Sequence, residues 1–120
     1  MVQREIRGLR SRGGALRLLA TFDFGLTEPA AGSDAVGIQT TAVKDGDNWI
    51  LNGEKMWISL ADVADFFLIF AWTDLDKKKA RDHSGISAFI VRDGAQGFSY
   101  GKKEKKMGWK VSPTRELVFE

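Results

Sequence analysis

The sequence contains no cysteine, one histidine (His83) and only two prolines among its 120 residues. Without thiols there can be no disulfide, no thiolate metal site and no cysteine nucleophile. A single histidine cannot build a multi-histidine metal site, so we expect no metal centre. The longest unbroken apolar run spans residues 66–72, whereas a membrane-spanning helix needs about 20 apolar residues. We therefore expect no membrane-spanning helix.

The charge of the chain is unevenly distributed. The net charge is +2, but residues 1–20 carry five arginines against one glutamate, a local +4, and the remaining residues sum to −2. A pI near 9.0 would ordinarily suggest a nucleic-acid partner, and we discount it because the excess lies at one end. Residues 1–20 are treated as a separate arginine-rich segment. A helical arm, a truncation scar, an incorrectly assigned start and a transit peptide remain open for it.

From residue 20 onward the apolar pattern is typical of strands rather than helices. The predicted strands span residues 38–44, 49–58 (one strand or two), 66–72, 85–92, 98–100 and 115–119, and residues 19–26 form a strand-like run. Asp45-Gly46 predicts a tight hairpin turn, and Asn52-Gly53 predicts a second turn or bulge. The charged residues 73–84 predict an exposed loop. Together these features indicate an all-β fold, either an antiparallel barrel or a sandwich, of about six or seven strands.

Two short segments are candidates for chemistry. Residues 27–34 (TEPAAGSD) place a proline turn before Gly32 and Ser33, whose backbone N–H groups can face an anion. The alternative is an ordinary Ser/Pro/Gly turn. In the second segment, Trp57 can cover a planar cofactor and the Ser59 hydroxyl can donate to a ring nitrogen. The alternative there is a core tryptophan beside a turn serine.

A nonenzymatic binding module for polyanions or nucleic acid is a second class of function. Lysines cluster at residues 77–79 and 102–106, and a barrel face with exposed aromatics can bind single-stranded nucleic acid. Against this reading, the Phe and Trp residues fall mostly within apolar strands, where burial explains them.

Several motifs resemble the acyl-CoA dehydrogenases. Residues 26–34 (LTEPAAGSD) resemble the first signature of that family, and residues 51–59 (LNGEKMWIS) resemble the segment that follows it. Residues 85–91 (GISAFIV), 106–108 (KMG) and 112–117 (SPTREL) continue the similarity in the same order. The resemblance covers residues 21–120.

The resemblance implies a fold and a parent reaction. Residues 21–120 should form the middle domain, an antiparallel Greek-key-like β-barrel of about six to seven strands, without the helical domains that flank it in the family. Family members use FAD to oxidise an acyl-CoA to the trans-2-enoyl-CoA and usually pass the electrons to an electron-transferring flavoprotein. They are usually homotetramers, and the implied compartment is the bacterial cytoplasm or the mitochondrial matrix. Neither a nucleic-acid nor a membrane partner is implied.

The resemblance also assigns residues to the cofactor. Thr27, with the Leu26 backbone, should contact the pyrimidine edge of the flavin, and Trp57 should lie against its ring. Ser59 should donate near N5, where negative charge develops as hydride arrives. Gly32 and Ser33 should approach the FAD phosphates, and Ser33 should also reach the acyl-CoA. The full implied set is Phe24, Gly25, Leu26, Thr27, Glu28, Pro29, Ala30, Ala31, Gly32, Ser33, Trp57, Ile58 and Ser59.

The sequence departs from the family pattern at two points. Ile58-Ser59-Leu60-Ala61 stands where Ile-Thr-Asn-Gly is usual, which keeps the hydroxyl and changes the next two residues. Residues 109–111 (WKV) stand where Leu-Arg-Gly is more typical. The family's catalytic glutamate belongs to its C-terminal helical bundle, so no catalytic residue is implied here. We expect these residues by themselves to bind FAD weakly or not at all and to turn over no substrate.

Overall fold

The computed structural model describes residues 21–120, and the arginine-rich segment 1–20 lies outside the described residues. Seven strands and one short α-helix are found within the described range, together with 3-10 turns at Ala35–Gly37 and His83–Gly85. The strands and helix are β1 (Phe22–Gly25), β2 (Thr41–Asp45), β3 (Asn48–Ser59), β4 (Phe66–Trp72), α1 (Leu75–Ala80), β5 (Ile86–Arg92), β6 (Phe98–Lys103) and β7 (Thr114–Phe119). The predicted all-β, barrel-like fold is confirmed.

The strands form one curled sheet in the order β1-β4-β2-β3-β7-β6, and β5 pairs with β4. The pairs β2–β3, β3–β7, β4–β5 and β6–β7 are antiparallel, as predicted. β1 lies parallel to β4, and Thr41 at the start of β2 makes a second parallel contact with Trp72. Parallel strands cannot be joined by a tight turn, and both parallel contacts pair strands that are far apart in the chain.

The hairpin between β2 and β3 has the predicted tight turn, which is two residues long. Asp45 lies opposite Asn48, and Gly46 takes a φ of 59°, a conformation that glycine adopts at little cost. The second predicted irregularity, at Asn52-Gly53, is wrong because β3 runs through it without interruption. Gly53 is needed there for close packing, since a Cβ would lie 2.5 Å from the Thr40 hydroxyl oxygen. The irregularity in β3 falls between Lys55 and Ile58 instead.

Two hydrophobic clusters lie on the two faces of β4. Phe67 and Ile69 are fully buried in the larger cluster together with Leu51 and Leu117. Trp72 belongs to the smaller cluster, which also contains Ala31, Ile38 and the partly buried Leu26, Val36, Phe70 and Ile86. The indole N–H of Trp72 donates to the carbonyl oxygen of Ile38 at 2.8 Å. This contact fixes the polypeptide that follows the candidate turn against the sheet.

The charged segment 73–84 contains α1, which the sequence pattern did not predict. Asp74 caps the helix by accepting from the backbone N–H groups of Asp76 and Lys77 at 3.0 Å each. Arg81 ends it with a φ of 56°. None of the helical residues is buried, so α1 lacks the apolar stripe by which a helix is recognised in a sequence. Within the described range no helix is long and apolar enough to cross a membrane.

Candidate functional site

The two candidate segments lie side by side in the fold. The backbone N–H of Met56 in β3 donates to the carbonyl oxygen of Thr27 at 2.8 Å. The ammonium group of Lys55 donates to the carbonyl oxygen of Leu26 at 3.3 Å. Residues 26 and 27 are therefore attached to the residues that immediately precede Trp57.

The first segment is a tight turn closed by its own backbone. Glu28 and Ala31 exchange two backbone hydrogen bonds of 3.0 Å each, with Pro29 and Ala30 exposed between them. Proline fixes φ and suits this position. Beyond the turn, the guanidinium of Arg81 donates to both carboxylate oxygens of Asp34 at 2.8 and 2.7 Å. Gly32 and Ser33 thus lie exposed between the Glu28–Ala31 turn and the Asp34–Arg81 ion pair.

Gly25 and Gly32 differ in whether packing within the domain demands glycine. A Cβ at Gly32 would meet no atom within 4 Å, so packing within the domain does not demand glycine there. A Cβ at Gly25 would lie 2.8 Å from Ile69 Cδ1 and 3.1 Å from Lys55 Cγ. Gly25 therefore permits the close approach of β1 to β3 and β4, whereas Gly32 leaves its backbone open to a molecule outside the domain.

A buried ion pair lies beneath the turn. Glu28 is 5% exposed, while Lys55 and Thr40 are 0% exposed. The Lys55 ammonium donates to Glu28 Oε1 at 2.7 Å, and Thr40 donates to the same oxygen through its backbone N–H at 3.0 Å and through its hydroxyl. The backbone N–H of Gln39 donates to Glu28 Oε2. Both carboxylate oxygens therefore have partners inside the protein.

The surroundings shift the pKa of both members of this pair. Burial alone raises the pKa of Glu28, but the hydrogen bonds from Lys55, Thr40 and Gln39 outweigh it and hold that pKa below its usual value. Burial lowers the pKa of Lys55, and the Glu28 carboxylate only partly offsets this effect. Glu28 is consequently ionised at neutral pH and accepts hydrogen bonds from three residues.

The second segment contains a β-bulge. Lys55 pairs with Leu117 and Ile58 with Arg115, so Met56 and Trp57 together face a single residue of β7. Trp57 has a φ of 58°, which costs a residue with a Cβ about 1–2 kcal/mol. It is 62% exposed, while Ile58 is 3% exposed. The bulge thus directs the Trp57 indole outward while Ile58 packs into the core. Such strained residues cluster at functional sites.

The thirteen candidate residues divide by exposure. Exposed are Phe24, Pro29, Ala30, Gly32, Ser33, Trp57 and Ser59, half-buried are Leu26 and Thr27, and buried are Gly25, Glu28, Ala31 and Ile58. The Phe24 ring packs edge-on against Phe70 at a centroid distance of 6.5 Å and is 58% exposed. The exposed members offer two aromatic rings, two serine hydroxyls and a free glycine backbone. These groups suit a ligand that combines a planar ring with an anion.

Sequence reasoning missed Lys55 and Thr40. A usable signal was present, because strand periodicity places Lys55 on the same face as the buried Leu51. A lysine on an inward face requires a carboxylate partner, and Glu28 is that partner.

The lysine clusters also make intramolecular contacts. Lys78 donates to the Gln39 carbonyl oxygen at 3.1 Å, and Lys106 donates to the Ser112 carbonyl oxygen and the Thr114 hydroxyl. Among residues 21–120 no group of three or more His, Asp or Glu side chains is placed to hold a metal ion.

The fold and the site define a class: a β-rich domain that presents a polar turn and an exposed tryptophan beside each other. The family description "acyl-CoA dehydrogenase, middle domain" matches residues 23–120, and the chain belongs to this family. It is 52% identical over 98 residues to the short-chain-specific acyl-CoA dehydrogenase of Megasphaera elsdenii, covering 81% of this chain and 24% of that enzyme.

Solved structures agree with this assignment. Butyryl-CoA dehydrogenase from Megasphaera elsdenii matches with a TM-score of 0.76 and 51% identity, over 82% of this chain and 25% of that one. A glutaryl-CoA dehydrogenase from Mycobacterium smegmatis in complex with FADH2 matches with a TM-score of 0.72 and 40% identity, over 84% of this chain and 24% of that one. The chain thus spans about a quarter of the length of these relatives.

Proposed function

We propose that residues 21–120 are a flavin-binding middle domain and that residues 24–33 and 57–59 supply one side of an FAD site. The parent family carries out FAD-dependent dehydrogenation of acyl-CoA. The observation that carries the proposal is the hydrogen bond from the Met56 N–H to the Thr27 carbonyl oxygen. It joins the two segments in which the sequence predicts flavin contacts, although they are far apart in the chain. Residues 1–20 form a separate segment in this proposal.

The exposed and half-buried groups of the two segments fit the parts of FAD. Trp57 offers the face of its indole to the flavin ring, and Ser59 offers its hydroxyl near N5. The Thr27 side chain and the Leu26 backbone serve the pyrimidine edge. Gly32, where a Cβ would meet nothing within the domain, leaves room for the phosphates, and Ser33 adds a hydroxyl donor to them and to the acyl-CoA. When bound, FAD supplies the hydride acceptor of the family's reaction.

Each side chain has a defined physical task in this site. The Ser59 hydroxyl stabilises negative charge that develops at the flavin ring, because a fixed donor needs no reorganisation at the moment of reaction. The Trp57 indole orients the ring and excludes water from its face. No residue of the described range is assigned a catalytic role. We therefore expect the 120 residues, tested by themselves, to turn over no acyl-CoA.

The whole protein's partners follow from the same proposal. The substrate class is an acyl-CoA thioester, and the electron acceptor is an electron-transferring flavoprotein. The complete enzyme is a homotetramer of the bacterial cytoplasm or the mitochondrial matrix. These assignments rest on family membership together with the site residues described above.

The test is a titration of the 120-residue chain with FAD, followed by tryptophan fluorescence and by the visible flavin spectrum. Trp57 and Trp109 are both exposed, at 62% and 80%, which makes Trp57→Phe and Trp109→Phe a matched pair. We expect weak, saturable quenching that Trp57→Phe removes and Trp109→Phe retains, because Trp57 directly follows Lys55 and Met56, which bond residues 26–28, and Trp72, which packs against Ala31, is fully buried.

Two results would contradict the proposed function. One is a folded chain whose fluorescence and flavin spectrum do not change at millimolar FAD, both by itself and when joined to the helical domains of a relative. The other is binding that Trp57→Phe leaves intact and that falls steeply with salt, as counterion release requires of polyanion binding. The second result would favour the nonenzymatic binding module.

A further inference from the structure

We infer that Glu28 and Lys55 are positioning residues, which hold the turn 26–31 and the bulge at Trp57 at a fixed separation. This inference rests on the proposed flavin-binding function and assigns the pair a part in it. Neither side chain touches the cofactor in this assignment. They act through the backbone segments to which they are attached.

The Glu28 carboxylate is directed into the protein. It is 5% exposed, and it accepts hydrogen bonds from Lys55, Thr40 and Gln39. The adjacent Pro29 and Ala30 are exposed. A ligand approaching the turn therefore meets Pro29 and Ala30, while the Glu28 side chain anchors the turn from below.

Lys55 connects this anchor to the strand that carries Trp57. Its ammonium bonds Glu28 Oε1 at 2.7 Å and the Leu26 carbonyl oxygen at 3.3 Å. The next residue, Met56, bonds the Thr27 carbonyl oxygen. Three consecutive residues of the turn are thus attached to two consecutive residues of β3, immediately before the bulge. A shift of Lys55 would move Trp57 relative to Thr27.

Stability alone does not account for a buried ion pair at this place. Replacing such a pair by apolar side chains of similar volume is often neutral or stabilising, because taking two charges out of water is costly. Directional bonds in a dry interior do fix geometry, and a fully satisfied polar network holds one arrangement. The bonds from Lys55 and Met56 to residues 26–28 form a joint between the two flavin segments. Lys55 is the partner of Glu28 that belongs to this joint, so the ion pair fixes the separation of the two segments.

The experiment compares the 120-residue chain with the double variant Glu28→Gln/Lys55→Met, in which neither charge is left buried alone. The control is Asp76→Asn/Lys79→Met, which removes an ion pair on α1 whose side chains are 94% and 81% exposed. Amide hydrogen exchange is followed at Met56, which reports the joint, and at Ile69, which reports the core. Quenching of Trp57 fluorescence by FAD is followed in parallel.

The positioning role has a specific signature. In the double variant Met56 should exchange at least about tenfold faster while Ile69 changes by less than about twofold, as expected for local opening. The FAD concentration for half-maximal quenching should rise at least about fivefold, which is the fold-change in apparent affinity. The α1 control should match the unmodified chain in all three readouts.

Three results would overturn the inference. Unchanged Met56 exchange would mean that the pair does not hold the joint. Equal acceleration at Ile69 would mean that the pair serves global stability only. Unchanged FAD quenching in a variant with a loosened joint would mean that the separation does not matter for the flavin. If the unmodified chain showed no response to FAD, both by itself and when joined to the helical domains of a relative, the proposed function would fail, and the positioning role with it.

Discussion

Leu60 donates its backbone N–H to the carbonyl oxygen of Pro113 at 2.7 Å and does so with a φ of 52°. This bond ties the end of β3 to the segment before β7, directly after the proposed flavin contact Ser59. The left-handed conformation costs a branched side chain about 1–2 kcal/mol, and asparagine tolerates it better. Asparagine is also the residue that the family resemblance leads one to expect at this position.

Leu60→Asn should therefore stabilise the protein. Leu60 is 41% exposed, and asparagine, which has a side chain of similar length and branching, keeps part of its contacts. We expect the free energy of unfolding to rise by about 0.5–1 kcal/mol, measured by urea denaturation. Leu75→Asn is the matched control, because Leu75 is 50% exposed in a regular helix and should gain nothing. A Leu60→Asn variant no more stable than the unmodified chain would show that the left-handed backbone is not strained.

The Glu28–Lys55 pair should show strong thermodynamic coupling. Glu28→Gln leaves a cation buried without its counter-charge, and Lys55→Met leaves an anion in the same state, so each should cost about 3–5 kcal/mol. The double variant should lose less than either single variant, because no unpaired charge remains. A double-mutant cycle in urea checks this expectation. Costs that simply add would show that the two groups do not interact across their 2.7 Å separation.

The strands were predictable because their signals are local. The apolar runs 66–72 and 85–92 and the Asp45-Gly46 turn each carry their own pattern, and they appear as β4, β5 and the β2–β3 hairpin. α1 was not predictable, because none of its residues is buried and the cap at Asp74 is its main signal. Periodicity cannot indicate a helix that buries no stripe.

The site was predictable in its parts and not in its assembly. The two segments were recognised from their motifs, but nothing local indicates that Thr27 bonds to Met56. The sequence predicts a turn or bulge at Asn52-Gly53, since glycine usually marks such a place. The bulge occurs instead at Met56 and Trp57, and Trp57 is a residue that rarely adopts positive φ. Glu28 was placed among the cofactor contacts because it lies within the motif. The buried Lys55 beneath it was recognisable only because strand periodicity places it on the same face as Leu51.

Asp23 should destabilise the protein at neutral pH. Burial raises its pKa, and the hydrogen bond from the Phe24 N–H only partly offsets this; its Oδ2 is buried without a hydrogen-bond partner. A carboxyl with a raised pKa favours the folded state only when protonated. The loss of stability that ionised Asp23 causes is therefore absent below the pKa of Asp23 in the unfolded chain, about 3.9. This loss grows as the pH rises through the pKa of Asp23 in the folded protein.

Asp23→Asn removes this ionisation and keeps an oxygen for the Phe24 N–H. The variant should have a higher Tm than the unmodified chain at pH 7, and the difference should disappear near pH 3. Thermal unfolding followed by circular dichroism across that range checks the sign. Asp47→Asn, at an exposed position of the β2–β3 turn, serves as the control and should show no such pH-dependent gain. A lower Tm for Asp23→Asn at pH 7 would mean that the ionised carboxylate is stabilising.

Substitution by alanine should reduce stability strongly at Gly53 and hardly at all at Gly32. At Gly53 a Cβ would lie 2.5 Å from the Thr40 hydroxyl oxygen and 2.7 Å from Thr40 Cα, at a φ of 144°. Gly53→Ala should therefore destabilise the fold by at least about 2 kcal/mol through overpacking and backbone strain. At Gly32 the added methyl would meet nothing within the domain, so Gly32→Ala should change the free energy of unfolding by less than about 0.5 kcal/mol.

Gly32→Ala should affect FAD binding although it hardly affects stability. Because Gly32 is proposed to let the backbone approach the FAD phosphates, its alanine variant should weaken FAD quenching of Trp57 while the fold remains intact. Urea denaturation and FAD titration of the same samples give both quantities. Gly46→Ala, in the distant β2–β3 turn, controls for an unspecific effect of the methyl group and should leave the titration unchanged. An unaltered FAD titration for Gly32→Ala would remove Gly32 from the proposed phosphate contacts, because the added methyl group would then not obstruct the phosphates.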